Sequence, residues 1–209
     1  MDEALHISGS FGSFITGFTH KERLNMPELS FKAYIQLVEP LAKEIEEQTG
    51  IIHILPLIQS AHESRAGNSN LAKEYGNLFG FKVTESWRKN GKPIANLPTW
   101  EVVTTNDPDK YKDYTPSLIE KYTEQGKKFF KLKIVLKQEF RIYDTWRDSL
   151  FDWGRLISTV KVYSEAYKKL KNKDTIRDGI REMAAVYATD PNYALALITL
   201  YEKVETEAF

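Results

Sequence analysis

Cysteine is absent from the 209-residue chain. Its absence excludes disulfides and thiolate metal sites together. Histidine is scarce: four residues, scattered, with no HExxH or comparable ligand spacing. No thiolate or HExxH-type metal site is therefore expected, and the chemistry read from the remaining residues calls for no metal or organic cofactor. Neither charge sign is in excess, with 29 Lys+Arg against 29 Asp+Glu. A nucleic-acid binder ordinarily carries a basic excess, so no nucleic-acid partner is expected. No apolar run approaches the roughly 18 residues of a membrane-spanning helix, so no membrane insertion is expected. The opening MDEALHISGSFGSFITGF is acidic first and Gly/Ser-interrupted afterwards. It lacks a basic segment followed by an apolar core, so no signal peptide is read there. Internal repeats and low-complexity stretches are also missing.

What is present is a 42% hydrophobic composition, enough for one sizeable core that needs no covalent staples. Aromatics reach 12%. Surplus rings often line clefts for sugars or peptides, although any single ring more often belongs to the core.

Residues 1–28 read as an irregular N-terminal arm, and 29–209 as a single domain. SFKAYIQLVEPLAKEIEEQTG starts on Ser30, a good N-cap, and closes on Gly50, so it predicts a helix. Pro40 predicts a kink or a split in it. IIHILPLIQSAHESR, 51–65, is apolar almost all round, which predicts a buried helix starting near Pro56. SNLAKEY, capped by Ser69, predicts a short third helix. The pattern then changes. FKVTESW and TWEVVT alternate around RKNGKP, which predicts a hairpin with Asn-Gly at its tip. Residues 106–130 interrupt this lobe as an insertion. Thr115-Pro116 within it predicts a helix of about three turns. KLKIVLKQEFRIYD predicts a returning strand. TWRDSLFDWGRLIS, SEAYKKLKN, DTIRDGIREMAAVYA and NYALALITLYEKVE predict the closing helices. The fold class is mainly α (α+β): a helical body, a small β-hairpin lobe, and a groove between them as the natural site.

One carboxylate stands out. Glu63 closes the apolar helix, after Ile58, Gln59 and Ala61. A carboxyl at the edge of so apolar a surface is partly desolvated, which raises its pKa and favours the protonated form near neutrality. A protonated Glu is a general acid, of the kind that protonates a glycosidic oxygen. Capping a neighbouring helix or pairing with Arg65 is the structural alternative for the same residue.

The residues after Glu63 carry a resemblance. Glu63, Ser64, Gly67, Ser69, Leu71, Ala72, Asn77, Leu78, Phe79, Gly80 and Lys82 form a pattern that resembles glycoside hydrolase family 73, the peptidoglycan N-acetylglucosaminidases of autolysins, flagellar hydrolases and phage lysins. FRIYDTWRDSLFDWGRLI (140–157) and YATDPNYA (187–194) look like two further motifs of that family, in the same order. The three cover roughly residues 50–205. Where the family often has Gly-Trp-Gly after Glu-Ser, this chain has Arg65-Ala66-Gly67, one aromatic fewer.

The resemblance implies a lysozyme-like fold. It also implies hydrolysis of the β-1,4 bond between N-acetylglucosamine and N-acetylmuramic acid in peptidoglycan glycan strands, at the bacterial cell wall or periplasm. Glu63 matches the family's general acid. The second carboxylate is expected in the β lobe in a Thr-x-Glu context, which points to Glu101 in LPTWEVV; Asp107, Asp109 and Asp113 compete, with Glu85 and Glu139 behind them. Whether that carboxylate activates water, or the substrate's acetamido group takes part instead, stays open. Tyr187 is implied to line the site, its hydroxyl holding water or the acetamido group. Asp190 before Pro191 suits substrate contact or capping of the last helix, and Tyr193 is a groove candidate. Asn77 and Phe79, beside the conformationally free Gly80, and the hairpin residues Trp87 and Trp100 complete the substrate-binding candidates. Residues 106–130 offer a place for a protein partner. Two alternatives remain: a non-catalytic glycan-binding or scaffold module of the same fold, and a muramidase or lytic transglycosylase of similar shape.

Overall fold

A computed structural model describes residues 17–206. The chain divides into two compact units, one running up to Phe81 and resuming at Ile142, the other spanning Lys82–Arg141. Most of the 1–28 arm lies outside the described residues. Its described end holds a short helix, α1 (His20–Asn25), whose Thr19 and Glu22 form a reciprocal cap.

The first unit is helical. Its α2 (Phe31–Thr49) begins where Ser30 Oγ accepts from the Ala33 amide and ends on Gly50 in the left-handed region. Pro40 does not break it. The proline lies on the exposed face, where water can satisfy the carbonyl one turn back. The next helix, α3 (Ile54–Ser64), starts two residues before Pro56. Pro56 thus falls in the first turn, where an amide proton has no intrahelical partner. Every residue from Ile54 to Ala61 is buried. The short α4 (Asn70–Tyr75) is capped by Ser69, as its sequence predicts.

Four helices complete the unit: α6 (Trp146–Thr159), α7 (Ser164–Lys169), α8 (Ile176–Tyr187) and α9 (Tyr193–Thr206). Trp146, Leu150, Trp153 and Ile157 follow the helical repeat on α6 and are fully buried with Tyr34, Leu55, Ile58 and Leu78. Arg23 is buried too, at 1% exposure. Its guanidinium donates to the carbonyls of Phe18, Asp144 and Lys73 at 2.7–3.1 Å, so a cation ties three distant chain segments together.

The second unit holds α5 (Glu85–Lys89) and a three-stranded antiparallel sheet of β1 (Ile94–Thr105), β2 (Ser117–Glu124) and β3 (Lys127–Arg141), in the order β1-β3-β2. Two expectations fail here. FKVTESW is not the first strand of a hairpin. Thr84 Oγ1 accepts from the Trp87 amide and starts α5, and Asn90-Gly91 ends that helix. The expected helix after Thr115-Pro116 is strand β2. Thr115 has φ +48°, outside the extended geometry an N-cap needs, and the following residues pair with β3, setting Glu124 opposite Lys127 and Tyr122 opposite Phe129, whose rings stack at 5.6 Å. The hairpin tip is instead Gln125-Gly126, with φ +48° and +76°, the two left-handed residues of a type I′ turn. Pro98 is tolerated because β1 is an edge strand.

Candidate active site

Glu63 sits in the last turn of α3, where that buried helix reaches the surface. The chain then reverses through Arg65, Ala66 and Gly67, all with positive φ. Ser64 holds the reversal by donating to the Ser60 carbonyl at 2.6 Å and accepting from the Gly67 amide at 2.8 Å. A Cβ on Gly67 would lie 2.5 Å from the Trp146 ring. The glycine after Glu-Ser therefore brings the backbone against a core tryptophan.

An open pocket of about 460 Å³ lies over this turn, lined by His62, Glu63, Tyr187, Ala188, Thr189, Asp190 and Tyr193. Helix α8 ends at Tyr187 and α9 starts at Tyr193, so the YATDPNY segment forms the opposite wall. Asp190 shapes it: its Oδ1 accepts from the Asn192 amide at 2.9 Å and its carbonyl accepts from Tyr193 at 3.1 Å. Asp190 therefore forms an Asx turn just ahead of α9 at the pocket edge and does not itself cap that helix.

Tyr187 and Tyr193 stack at 5.8 Å with 13° between their planes. Tyr187 donates to the Phe79 carbonyl at 3.2 Å. Tyr193 donates to Glu63 Oε1 through a short hydrogen bond, and the His62 ring meets Tyr193 edge-on at 5.4 Å. Behind Tyr193, Gln59 Nε2 donates to its hydroxyl oxygen at 2.9 Å, and Trp153 Nε1 donates to Gln59 Oε1 at 2.9 Å.

Burial pushes the Glu63 carboxyl above the usual carboxylate range; the Tyr193 hydrogen bond and nearby His62 offset part of that effect. Burial, and then the Glu63 charge, hold the Tyr187 and Tyr193 hydroxyls protonated well beyond the ordinary phenol range. The pocket therefore combines a carboxyl biased toward its acid form with two neutral hydroxyls.

The structure groups Glu63, Tyr187, Asp190 and Tyr193 in one pocket. Asn77 is 1% exposed, and its amide closes the 77–81 loop by bonding both the carbonyl and the amide of Phe81 at 3.0 Å. Phe79 is 3% exposed and stacks between Phe81 and Trp153. Both are corrections: their side chains build the wall behind the site. Trp87 is corrected likewise, buried in the second unit with its Nε1 donating to the Pro93 carbonyl. Trp100 is 59% exposed on β1 under the Lys133 ammonium. Glu101 also lies on β1, exposed, with Lys82 Nζ at 3.7 Å. Sequence reasoning missed His62, Thr189 and Gln59. Gln59 left one signal, a long polar side chain one turn before Glu63 in a mostly apolar run.

Among known proteins the fold defines a class first. The catalytic domain of the autolysin Auto from Listeria monocytogenes superimposes with a TM-score of 0.60, covering 87% of this chain and 89% of that one at 22% identity. The glycoside hydrolase domain of Salmonella typhimurium FlgJ, C-terminally truncated, gives 0.57 over 86% and 100% at 23% identity. The architecture is thus that of the lysozyme-like glycoside hydrolase domains. The family follows: residues 39–206 match the glucosaminidase model, described as mannosyl-glycoprotein endo-beta-N-acetylglucosaminidase, and the chain belongs to this family, glycoside hydrolase family 73. Curated relatives include peptidoglycan hydrolase FlgJ of Salmonella typhimurium, 28% identical over 78% of this chain and 43% of that protein, and exo-glucosaminidase LytG of Bacillus subtilis, 27% identical over 75% and 46%. The chain spans less than half the length of these relatives.

Proposed function

We propose that this chain hydrolyses the β-1,4 glycosidic bond between N-acetylglucosamine and N-acetylmuramic acid in peptidoglycan, with Glu63 as the general acid. The observation that carries the reading is the Glu63 carboxyl itself: desolvated, biased toward its protonated form, and facing an open pocket. Family membership and the peptidoglycan hydrolases among its relatives support the substrate class. Glu63 donates its proton to the leaving glycosidic oxygen as the bond to the anomeric carbon breaks. A water oxygen bonds that carbon, and Glu101 takes the water's proton. The stacked Tyr187 and Tyr193 hold the acid's side of the pocket rigid. The place of action is the bacterial cell wall.

The test is digestion of purified peptidoglycan by wild type and Glu63→Gln, with mass spectrometry of borohydride-reduced products. Fragments ending in reduced N-acetylglucosamine, lost in the variant, support the reading. Fragments ending in reduced or anhydro muramic acid would move it to a muramidase or lytic transglycosylase. An inert wild type that still binds peptidoglycan would favour the glycan-binding module.

A further inference from the structure

Three buried side chains lead from the core to the acid. Trp153 on α6, Gln59 on α3 and Tyr193 on α9 are all buried. They are linked in series, Trp153 Nε1 to Gln59 Oε1, Gln59 Nε2 to Tyr193 Oη, and Tyr193 Oη to Glu63 Oε1. The first link sets the direction of all the others. An indole N–H can only donate, so the Gln59 oxygen must face Trp153 and the Gln59 NH₂ must face Tyr193. The Tyr193 oxygen is thereby occupied as an acceptor, and its single proton goes to Glu63. Oε1 of Glu63 is then an acceptor in both protonation states. When the carboxyl is protonated, the proton is left to Oε2, the oxygen the chain of donors does not hold.

We propose that Trp153 and Gln59 are positioning residues that fix which oxygen of Glu63 carries the transferable proton. This deepens the reading above and rests on Glu63 being the acid. The device explains why the buried run Ile54–Ala61 carries Gln59 one turn before Glu63, and why a core tryptophan is matched with a glutamine. The two oxygens of a free carboxylate are equivalent as sites for a proton; a donor chain anchored in the core makes them inequivalent, so the acid meets its substrate with the proton already placed. The titratable groups around Glu63 are His62 on its own helix, Tyr187 at the end of α8, Asp190 in the connecting turn and Tyr193 on α9.

Trp153→Phe tests this directly. It keeps a ring beside Phe79 but removes the donor. The Gln59 amide is then free to turn its oxygen to Tyr193 and take that hydroxyl's proton, and Glu63 points its own proton at Tyr193 instead of the pocket. The expected result on peptidoglycan fragments is a kcat lower by roughly tenfold with KM within about twofold. The alkaline limb of the kcat profile and the carbon-13 titration of the Glu63 carboxyl move together to higher pH. The double variant Trp153→Phe/Gln59→Leu removes the competing amide and leaves Glu63 as partner of the Tyr193 hydroxyl again. Its kcat rises above that of the single variant, which a purely structural loss cannot produce. An unchanged profile and titration in Trp153→Phe, or a double variant slower than the single, overturns the proposal. If Trp153→Phe does not fold, isotope-edited infrared of protonated Glu63 decides. Its carbonyl band in wild type lies below that in Tyr193→Phe, and coincident bands overturn the proposal. Glu63→Gln runs alongside: retained activity there removes the acid assignment itself, whereas its loss beside a neutral Trp153→Phe removes only the relay.

Discussion

Replacing Tyr193 by Phe deletes one oxygen from the site and has two separable consequences. The hydroxyl donates to Glu63 and accepts from Gln59 Nε2. A hydrogen bond to an ionised group contributes roughly 1.5–3 kcal/mol, and each 1.4 kcal/mol is about a factor of ten in an equilibrium constant. The bond favours the ionised carboxyl, so removing it makes Glu63 about ten- to a hundredfold harder to ionise. The sign follows directly. A general acid is competent while protonated, so the alkaline limb of the kcat profile moves to higher pH in Tyr193→Phe. Second, the buried Gln59 N–H loses its acceptor, at about 1–3 kcal/mol of stability. For a chain of this size that lowers Tm by roughly 2–12 °C. The assay is release of reducing ends from peptidoglycan between pH 4 and 9, paired with thermal unfolding. An alkaline limb that stays in place or moves to lower pH would refute the electrostatic reasoning, even if Tm falls as expected.

Asn77→Ala, which removes the side-chain hydrogen bonds to the amide and carbonyl of Phe81, should lower stability by roughly 1–3 kcal/mol in urea unfolding with KM unchanged; a raised KM at unchanged stability would restore a substrate role. Gly67→Ala forces a methyl to within 2.5 Å of Trp146 at φ +75°. It should cost roughly 2–4 kcal/mol by the same measurement, and a variant as stable as wild type would show that the turn after Glu63 can yield. Glu101 is exposed, with Lys82 at 3.7 Å as an ion-pair partner, so Glu101→Gln should change stability by under about 0.5 kcal/mol. As the loss of a catalytic base it should also slow hydrolysis by about 100- to 10,000-fold. A fully active Glu101→Gln would pass the water-activating role to another group, such as the substrate's acetamido.

The helical body was legible because its signals are local. Ser30 and Ser69 cap their helices, Gly50 ends one, and the periodicity of Trp146, Leu150, Trp153 and Ile157 marks the buried face of another. Glu63 was legible for the same reason, since the apolar run before it already implies desolvation. In the β unit the local signals pointed the wrong way. Thr115-Pro116 resembles a helix start, but pairing with β3 carries the segment into a strand. Asn-Gly resembles a hairpin tip, but Thr84 begins a helix ahead of it and Gln125-Gly126 makes the turn.

By itself the sequence determined most helices of the first unit, that a carboxyl closes an apolar helix at Glu63, and that Tyr187, Asp190 and Tyr193 travel together in one short motif. Only the tertiary structure decided what those residues touch. Gln59 meets Tyr193 134 positions later and Trp153 94 positions later, and Arg23 reaches the Asp144 carbonyl 121 positions away. Asn77 and Phe79 look like ligand residues in a glycine-marked loop until the fold buries them at 1% and 3% exposure. The physical reason is common to all of these: caps and periodicity act within a few residues, whereas the partner of a buried donor or ring is chosen by which distant segments pack against it, and no local pattern records that choice.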